Sequence, residues 1–66
     1  MTRPAVLQIL MTNGDLTADE AEKVFTVYRR VKALKFNAHD GYSITHGGFF
    51  DRDTIRRALN RAGAHA

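Results

Sequence analysis

An Asp-Gly pair at residues 40 and 41 constrains the fold of this chain more than any other feature. A two-residue type I′ turn needs positive φ at both central residues, and Asp-Gly between short runs that can form strands favours that turn. We therefore predict a β-hairpin over residues 36–46 with its turn at 40–41. In this register His39 faces Tyr42 and Asn37 faces Ile44, while Phe36 lies on the opposite face.

The hairpin also bears on whether nearby histidines can bind one metal ion. His39 and His46 share a face in this register, but they lie about 13 Å apart along it. Two imidazoles that bind one zinc ion each need a nitrogen about 2 Å from the metal. We therefore predict no metal site, and His65 falls in a tail over residues 63–66 that we expect to be frayed.

Two helices are predicted before the hairpin. Pro4 suits the start of a helix, and the apolar run after it ends at an Asn-Gly pair, which predicts a first helix over residues 4–13. Thr17 and Glu20 have the spacing of a capping box. Apolar residues then recur at spacings of three and four as far as Val31 and beyond, which predicts a second helix over residues 17–35.

The first helix has more apolar residues than one buried stripe requires. Val6, Leu7, Ile9, Leu10 and Met11 cover more than one side of it. Either other elements of the chain surround this helix, or a second subunit covers its spare face.

A third helix is predicted over residues 51–62. Asp51 is a suitable N-cap, Ile55 and Leu59 belong to the apolar stripe, and Gly63 is a stop signal. The expected fold is α+β, a small single domain with the order helix, helix, β-hairpin, helix. Because a hairpin returns the chain to its starting point, we expect the third helix to run antiparallel to the second.

This element order resembles the small winged-helix domains of excisionases and MerR-type regulators. The resemblance implies that the second helix enters the major groove of DNA and that the hairpin contacts the backbone or the minor groove. The predicted second helix is longer than the recognition helix of those domains. In general character the chain is also similar to small basic accessory proteins of phages and plasmids, many of which bind one host protein.

Charge favours a polyanionic partner. Ten Lys and Arg against seven Asp and Glu give a net charge of +3 and a pI near 9.8. Arginine and asparagine on one helix face can read bases, and lysine or arginine can contact phosphates, although a solvated helix face has the same composition. We expect the cations of the second and third helices to form two separate patches. The candidate nucleic-acid contacts are Arg29, Arg30, Lys32, Lys35, Arg52, Arg56, Arg57, Asn60 and Arg61.

The alternative is a protein-interaction module or a homodimer. It would use the spare apolar face of the first helix together with apolar residues of the hairpin and of the segment that follows. The candidate contacts are Leu7, Met11, Tyr42, Ile44 and Phe49.

Other functional classes lack a motif. Ser43 has no glycine elbow around it, the Gly47-Gly48 pair does not fit a phosphate-binding loop, and the chain has no cysteine for a disulfide or a Cys-ligated metal. If the segment that ends at Glu20 were a calcium-binding EF-hand loop, Ile9 and Met11 would stand at ligand positions that need an oxygen atom.

The apolar run near the N-terminus is shorter than the roughly 20 residues that span a bilayer. We therefore expect a cytoplasmic protein that is not an enzyme and binds no cofactor.

Overall fold

The computed structural model describes residues 1–63 of the chain, so His65 and the rest of the predicted tail beyond Gly63 lie outside the described residues. The elements follow the expected order, which confirms the α+β fold class. A short 3₁₀ turn lies between the hairpin and the last helix. The elements are α1 (Arg3–Gly14), α2 (Ala18–Arg30), β1 (Leu34–Asn37), β2 (Gly41–Ile44), the 3₁₀ turn (Gly47–Phe50) and α3 (Arg52–Gly63).

Helix α1 is surrounded by the rest of the chain. The Thr2 side chain caps it by accepting a hydrogen bond from the backbone N–H of Ala5 at 3.2 Å. Val6, Leu10 and Gly14, spaced four residues apart, are buried. Because α2, α3, the 3₁₀ turn and β2 all pack against α1, its additional apolar residues Leu7 and Met11 pack against the core within one copy of the chain.

Helix α2 begins with the predicted capping box. The Thr17 hydroxyl accepts from the Glu20 N–H at 3.2 Å, and the Glu20 carboxylate accepts from the Thr17 N–H at 2.9 Å. Both exchanges satisfy backbone donors that the first turn of a helix leaves free.

Helix α2 ends at Arg30, so the prediction that it continues to residue 35 is wrong. Lys32 adopts a left-handed φ of 61°, and the Ala33 N–H donates to the Tyr28 carbonyl at 2.9 Å. These are the features of a Schellman motif, which turns the chain out of a helix. The turn places Ala33 and Leu34 in the core, and Lys32 and Lys35 therefore lie outside the helix.

The hairpin is present, but its register differs from the predicted one. Leu34 pairs with Ile44 and Phe36 with Tyr42, and the chain reverses over residues 38–40. The Asn37 side chain accepts from the His39 N–H at 2.8 Å, which starts the turn before the Asp-Gly pair. Only Gly41, at φ 74°, supplies a positive φ to this turn.

The observed register gathers the apolar side chains of the hairpin on one face. Phe36 and Tyr42, which the predicted register placed on opposite faces, meet edge to face with their ring centroids 5.0 Å apart. Phe25 of α2 packs on the other side of Tyr42 at 5.1 Å. Burial of Leu34 and packing of Tyr42 against α2 therefore outweigh the local preference of Asp-Gly for a two-residue turn.

The core is apolar. Among residues 1–63 no polar or charged residue other than tyrosine is buried, and the Tyr28 hydroxyl donates to the Phe49 carbonyl at 2.8 Å. Burial raises the pKa of Tyr28 to about 12. None of the described helices is long and apolar enough to cross a membrane. The buried hydrophobic residues are Val6, Leu10, Leu16, Ala21, Val24, Phe25, Val27, Tyr28, Ala33, Leu34 and Ile55.

Candidate interaction groove

Two of the predicted nucleic-acid contacts are engaged within the fold. The guanidinium of Arg29 donates to the Tyr42 hydroxyl at 3.0 Å and lies over the Tyr42 ring, 5.2 Å from its centroid. Arg56 donates to the Gly14 carbonyl at 2.8 Å. That carbonyl belongs to the last turn of α1, where no helical N–H can reach it, so Arg56 caps α1.

Four others lie exposed, apart from the α2–α3 junction. Lys32 occupies the left-handed position after α2, and Lys35 pairs with Ser43 on the outer face of the hairpin. Arg52 is exposed in the first turn of α3. Asn60 lines a shallow depression on α3 together with Asp53, so a carboxylate accompanies the amide there.

The remaining three predicted contacts line one groove between α2 and α3. Arg30 and Arg61 line a depression of about 420 Å³, and Arg57 and Arg61 line an adjoining one of about 310 Å³. The two depressions share Val27, Val31 and Arg61, so they adjoin, and together they are called the α2–α3 groove. The expectation that the cations of the two helices form separate patches is therefore wrong for these three residues.

Packing of α3 against α2 brings the three arginines together. Val31, which follows α2, lines one depression with Thr54 and the other with Ala62, and Lys23 also lines the second. The antiparallel course of α3 stays a prediction from the sequence. Because Ala62 is small and the arginine stems are long, the charged groups of both helices can reach the same opening.

The groove has an apolar floor and a basic rim. Val27 is buried at its base, whereas Val31 is 49% exposed and stands open to solvent. No aspartate or glutamate lines either depression in the part of the chain that the structure describes. The floor consists of Val27, Val31, Ala58 and Ala62, and the rim of Lys23, Arg30, Arg57 and Arg61.

None of the rim cations forms a salt bridge within residues 1–63, although Lys23 lies near enough to Glu20 to help lower the pKa of that carboxyl. The one ion pair there joins Arg3 to Glu22 at 2.6 Å, and it lowers the pKa of Glu22. Arg57 donates only through Nε, to the Asp53 carbonyl at 3.4 Å, which is a weak contact. The charged ends of the rim residues are therefore available to a ligand.

The predicted protein-interaction residues mostly serve the core. Leu7, Met11, Tyr42, Ile44 and Phe49 are half-buried and pack against the buried cluster. The large apolar side chains that are exposed among the described residues are different ones: Met1, Val31 and Phe36.

Sequence reasoning missed five of the eight residues of the groove floor and rim: Lys23, Val27, Val31, Ala58 and Ala62. Val31 fits the apolar period of α2, which predicts that it is buried with the other apolar residues of that helix. It became exposed because the helix ends at Arg30 and the chain turns away. The spacing of Lys23, Val27, Arg30 and Val31 by three and four marks one helix face and was the available signal.

The two described histidines lie apart. His39 is exposed in the turn of the hairpin, and His46 accepts from the Gly48 N–H through Nδ1 at 3.3 Å while it stacks on Phe49. Residues 1–63 contain no group of three or more histidine, cysteine, aspartate or glutamate side chains placed to hold a metal ion.

Comparison of the chain with protein-family models, with curated proteins and with solved structures found no match in any of the three. The geometry and charge of the groove are therefore the basis for a functional proposal.

Proposed function

We propose that this chain is a protein-interaction module and that the α2–α3 groove is its docking surface. The observation that carries the proposal is the exposure of Val31, 49%, on a floor shared with the buried Val27 and with Ala58 and Ala62. Apolar surface in a groove between two helices gains free energy when a partner removes it from water. Helix-in-groove recognition uses surfaces of this kind.

The floor favours a protein partner over a nucleic acid. Phosphate groups need cations but no apolar floor, and bases in single strands stack on exposed aromatic rings. Among residues 1–63 the one aromatic side chain that lines the groove is Tyr28, which is buried and whose hydroxyl donates to the Phe49 carbonyl. In this proposal the chain acts without catalysis, as small accessory proteins of phages and plasmids do when they bind a host protein; a cytoplasmic location stays a prediction from the sequence.

Selection from a displayed library of random helical peptides tests the docking surface. We expect selection on the wild type to enrich peptides. These peptides should bind the Val31→Asp variant at least about tenfold more weakly than they bind the wild type. Phe36→Asp is the matched control, because Phe36 is 59% exposed and lies outside the groove. A library that yields no binder dependent on Val31 would contradict the proposal.

Nucleic-acid binding is the second candidate. It is supported by the convergence of Arg30, Arg57 and Arg61 from two helices, and Lys32 and Lys35 could extend the contact. Binding of duplex DNA and of single-stranded RNA, followed over a range of salt concentrations, tests it. The logarithm of the affinity should fall linearly with the logarithm of salt, with a slope of about 0.9 for each phosphate contacted on a duplex. A flat salt dependence would exclude this candidate.

A further inference from the structure

We infer that the segment bound in the α2–α3 groove is an acidic amphipathic helix of a partner protein. This inference rests on the proposed docking surface and adds the chemistry of what it binds. Three observations support it: the charge of the rim, the shape of the floor, and the absence of a suitable helix among residues 1–63 of the chain.

The positive charge of the rim favours a bound segment that carries negative charge. Lys23 and Arg30 stand on the α2 side, and Arg57 and Arg61 stand on the α3 side. No carboxylate lines the groove within residues 1–63, so a basic segment would meet uncompensated repulsion from both sides. Glutamate or aspartate on the flanks of a bound segment would meet a cation on either side, and arginine can bind a carboxylate through two hydrogen bonds.

The shape of the floor favours a bound segment that is helical. The floor is formed by two packed helices, with Val27 on α2, Val31 four positions later at the C-cap of α2, and Ala58 and Ala62 spaced by four on α3. Small residues such as alanine let a third helix approach to an interaxial distance of roughly 8–10 Å. From Thr54 to Ala62 the groove extends about 12 Å at 1.5 Å per residue, which suits apolar anchors at positions i, i+4 and i+7 of a bound helix.

A second copy of the chain does not offer such a helix. The carboxylates near the start of α2, Asp19 and Glu22, have no exposed large apolar side chain beside them. In the described part of the chain those side chains are Met1, Val31 and Phe36, and they lie before α1, just after α2 and in the hairpin. Residues 1–63 of a second copy therefore do not supply the occupant, and we assign it to a partner protein.

Two designed peptides test the inference. The first, of about 14 residues, carries leucine at i, i+4 and i+7 and glutamate on both flanks, and its twin replaces every glutamate with lysine. Binding is followed by fluorescence anisotropy of the labelled peptides. Wild-type protein should bind the acidic peptide at least about tenfold more tightly than the basic twin at low salt, with the ratio shrinking as salt rises.

A charge-reversed protein gives the sharper readout. The double variant Arg30→Glu, Arg61→Glu should lose the preference for the acidic peptide and gain affinity for the basic one. The matched control is Lys35→Glu, Arg52→Glu, which changes net charge equally but lies outside the groove and should keep the wild-type preference. Circular dichroism and thermal unfolding verify that both double variants are folded.

The outcomes separate the inference from the proposed function. If the two peptides bind equally and Val31→Asp removes both, the groove docks a partner but the acidic preference is wrong. If the acidic preference survives reversal of Arg30 and Arg61, the contact lies elsewhere and the inference fails. If neither peptide binds and no displayed peptide depends on Val31, the inference and the proposed function fail together.

Discussion

Gly14 in the last turn of α1 and Ile55 in α3 lie so close together that a β-carbon on residue 14 would overlap Ile55 Cγ2. Gly14 is buried, and the left-handed position that follows α1 is taken by Asp15, at φ 55°. The glycine is therefore required by the approach of two helices. This contact fixes the distance between α1 and α3.

Gly14→Ala should lower the free energy of unfolding by roughly 1–3 kcal/mol, because the added methyl group forces α1 and α3 apart. The midpoint of urea unfolding measures the change. Gly47→Ala is the matched control, since a β-carbon there would meet no atom within 4 Å. Equal midpoints for the two variants would show that α3 can move away from α1 without loss of stability, and would contradict the prediction.

Arg56→Ala should destabilise the fold by about 1 kcal/mol, because the Gly14 carbonyl loses its hydrogen bond at the end of α1. Arg52→Ala, at an exposed position of the same helix, should change stability little. Thermal unfolding of both variants gives the comparison. If Arg56→Ala were as stable as the wild type, the hydrogen bond to Gly14 would not contribute to stability, and Arg56 would again be a candidate ligand contact.

Lys32→Gly should stabilise the protein by about 0.5–1 kcal/mol. A residue with a β-carbon is strained in the left-handed conformation at φ 61°, and glycine relieves that strain at some cost in the entropy of the unfolded chain. Lys32→Ala is the control, because it removes the same charge but keeps the β-carbon. Denaturant unfolding should show a gain for glycine alone; a gain for both variants would point to charge instead.

Stability should fall when the pH drops below about 4.5, the ordinary pKa of a glutamate carboxyl. The hydrogen bond from the Thr17 backbone N–H lowers the pKa of Glu20, so the stabilisation is complete above the unfolded-state pKa and is lost as the pH falls through the lower folded-state pKa. Unfolding midpoints of wild type and Glu20→Gln, measured over this acid range, test the assignment.

Glutamine at position 20 keeps an acceptor for Thr17 but cannot be protonated in this range, so the Glu20→Gln midpoint should depend less on pH. Glu22, whose pKa is lowered by Arg3, accounts for part of the slope that remains. Identical pH profiles for wild type and Glu20→Gln would show that the capping box does not contribute to acid sensitivity.

Local sequence determined the elements and their order. The capping box of Thr17 and Glu20 involves residues three apart, and the residues around Gly41 fix a chain reversal within a few positions. These interactions join residues that are only a few positions apart, so the local residue pattern and the turn and capping preferences predict them. The α+β class followed from these signals alone.

Only the tertiary structure decided the register of the hairpin, the end of α2, and whether each arginine is hydrogen-bonded within the fold or open to solvent. Arg29 and Arg56 look alike in the sequence to Arg30 and Arg61, yet the first two are engaged and the last two are open. The partner of Arg56 lies 42 positions away, in another helix. Burial of distant apolar surface determines such contacts, and no local pattern encodes which residues that burial will bring together.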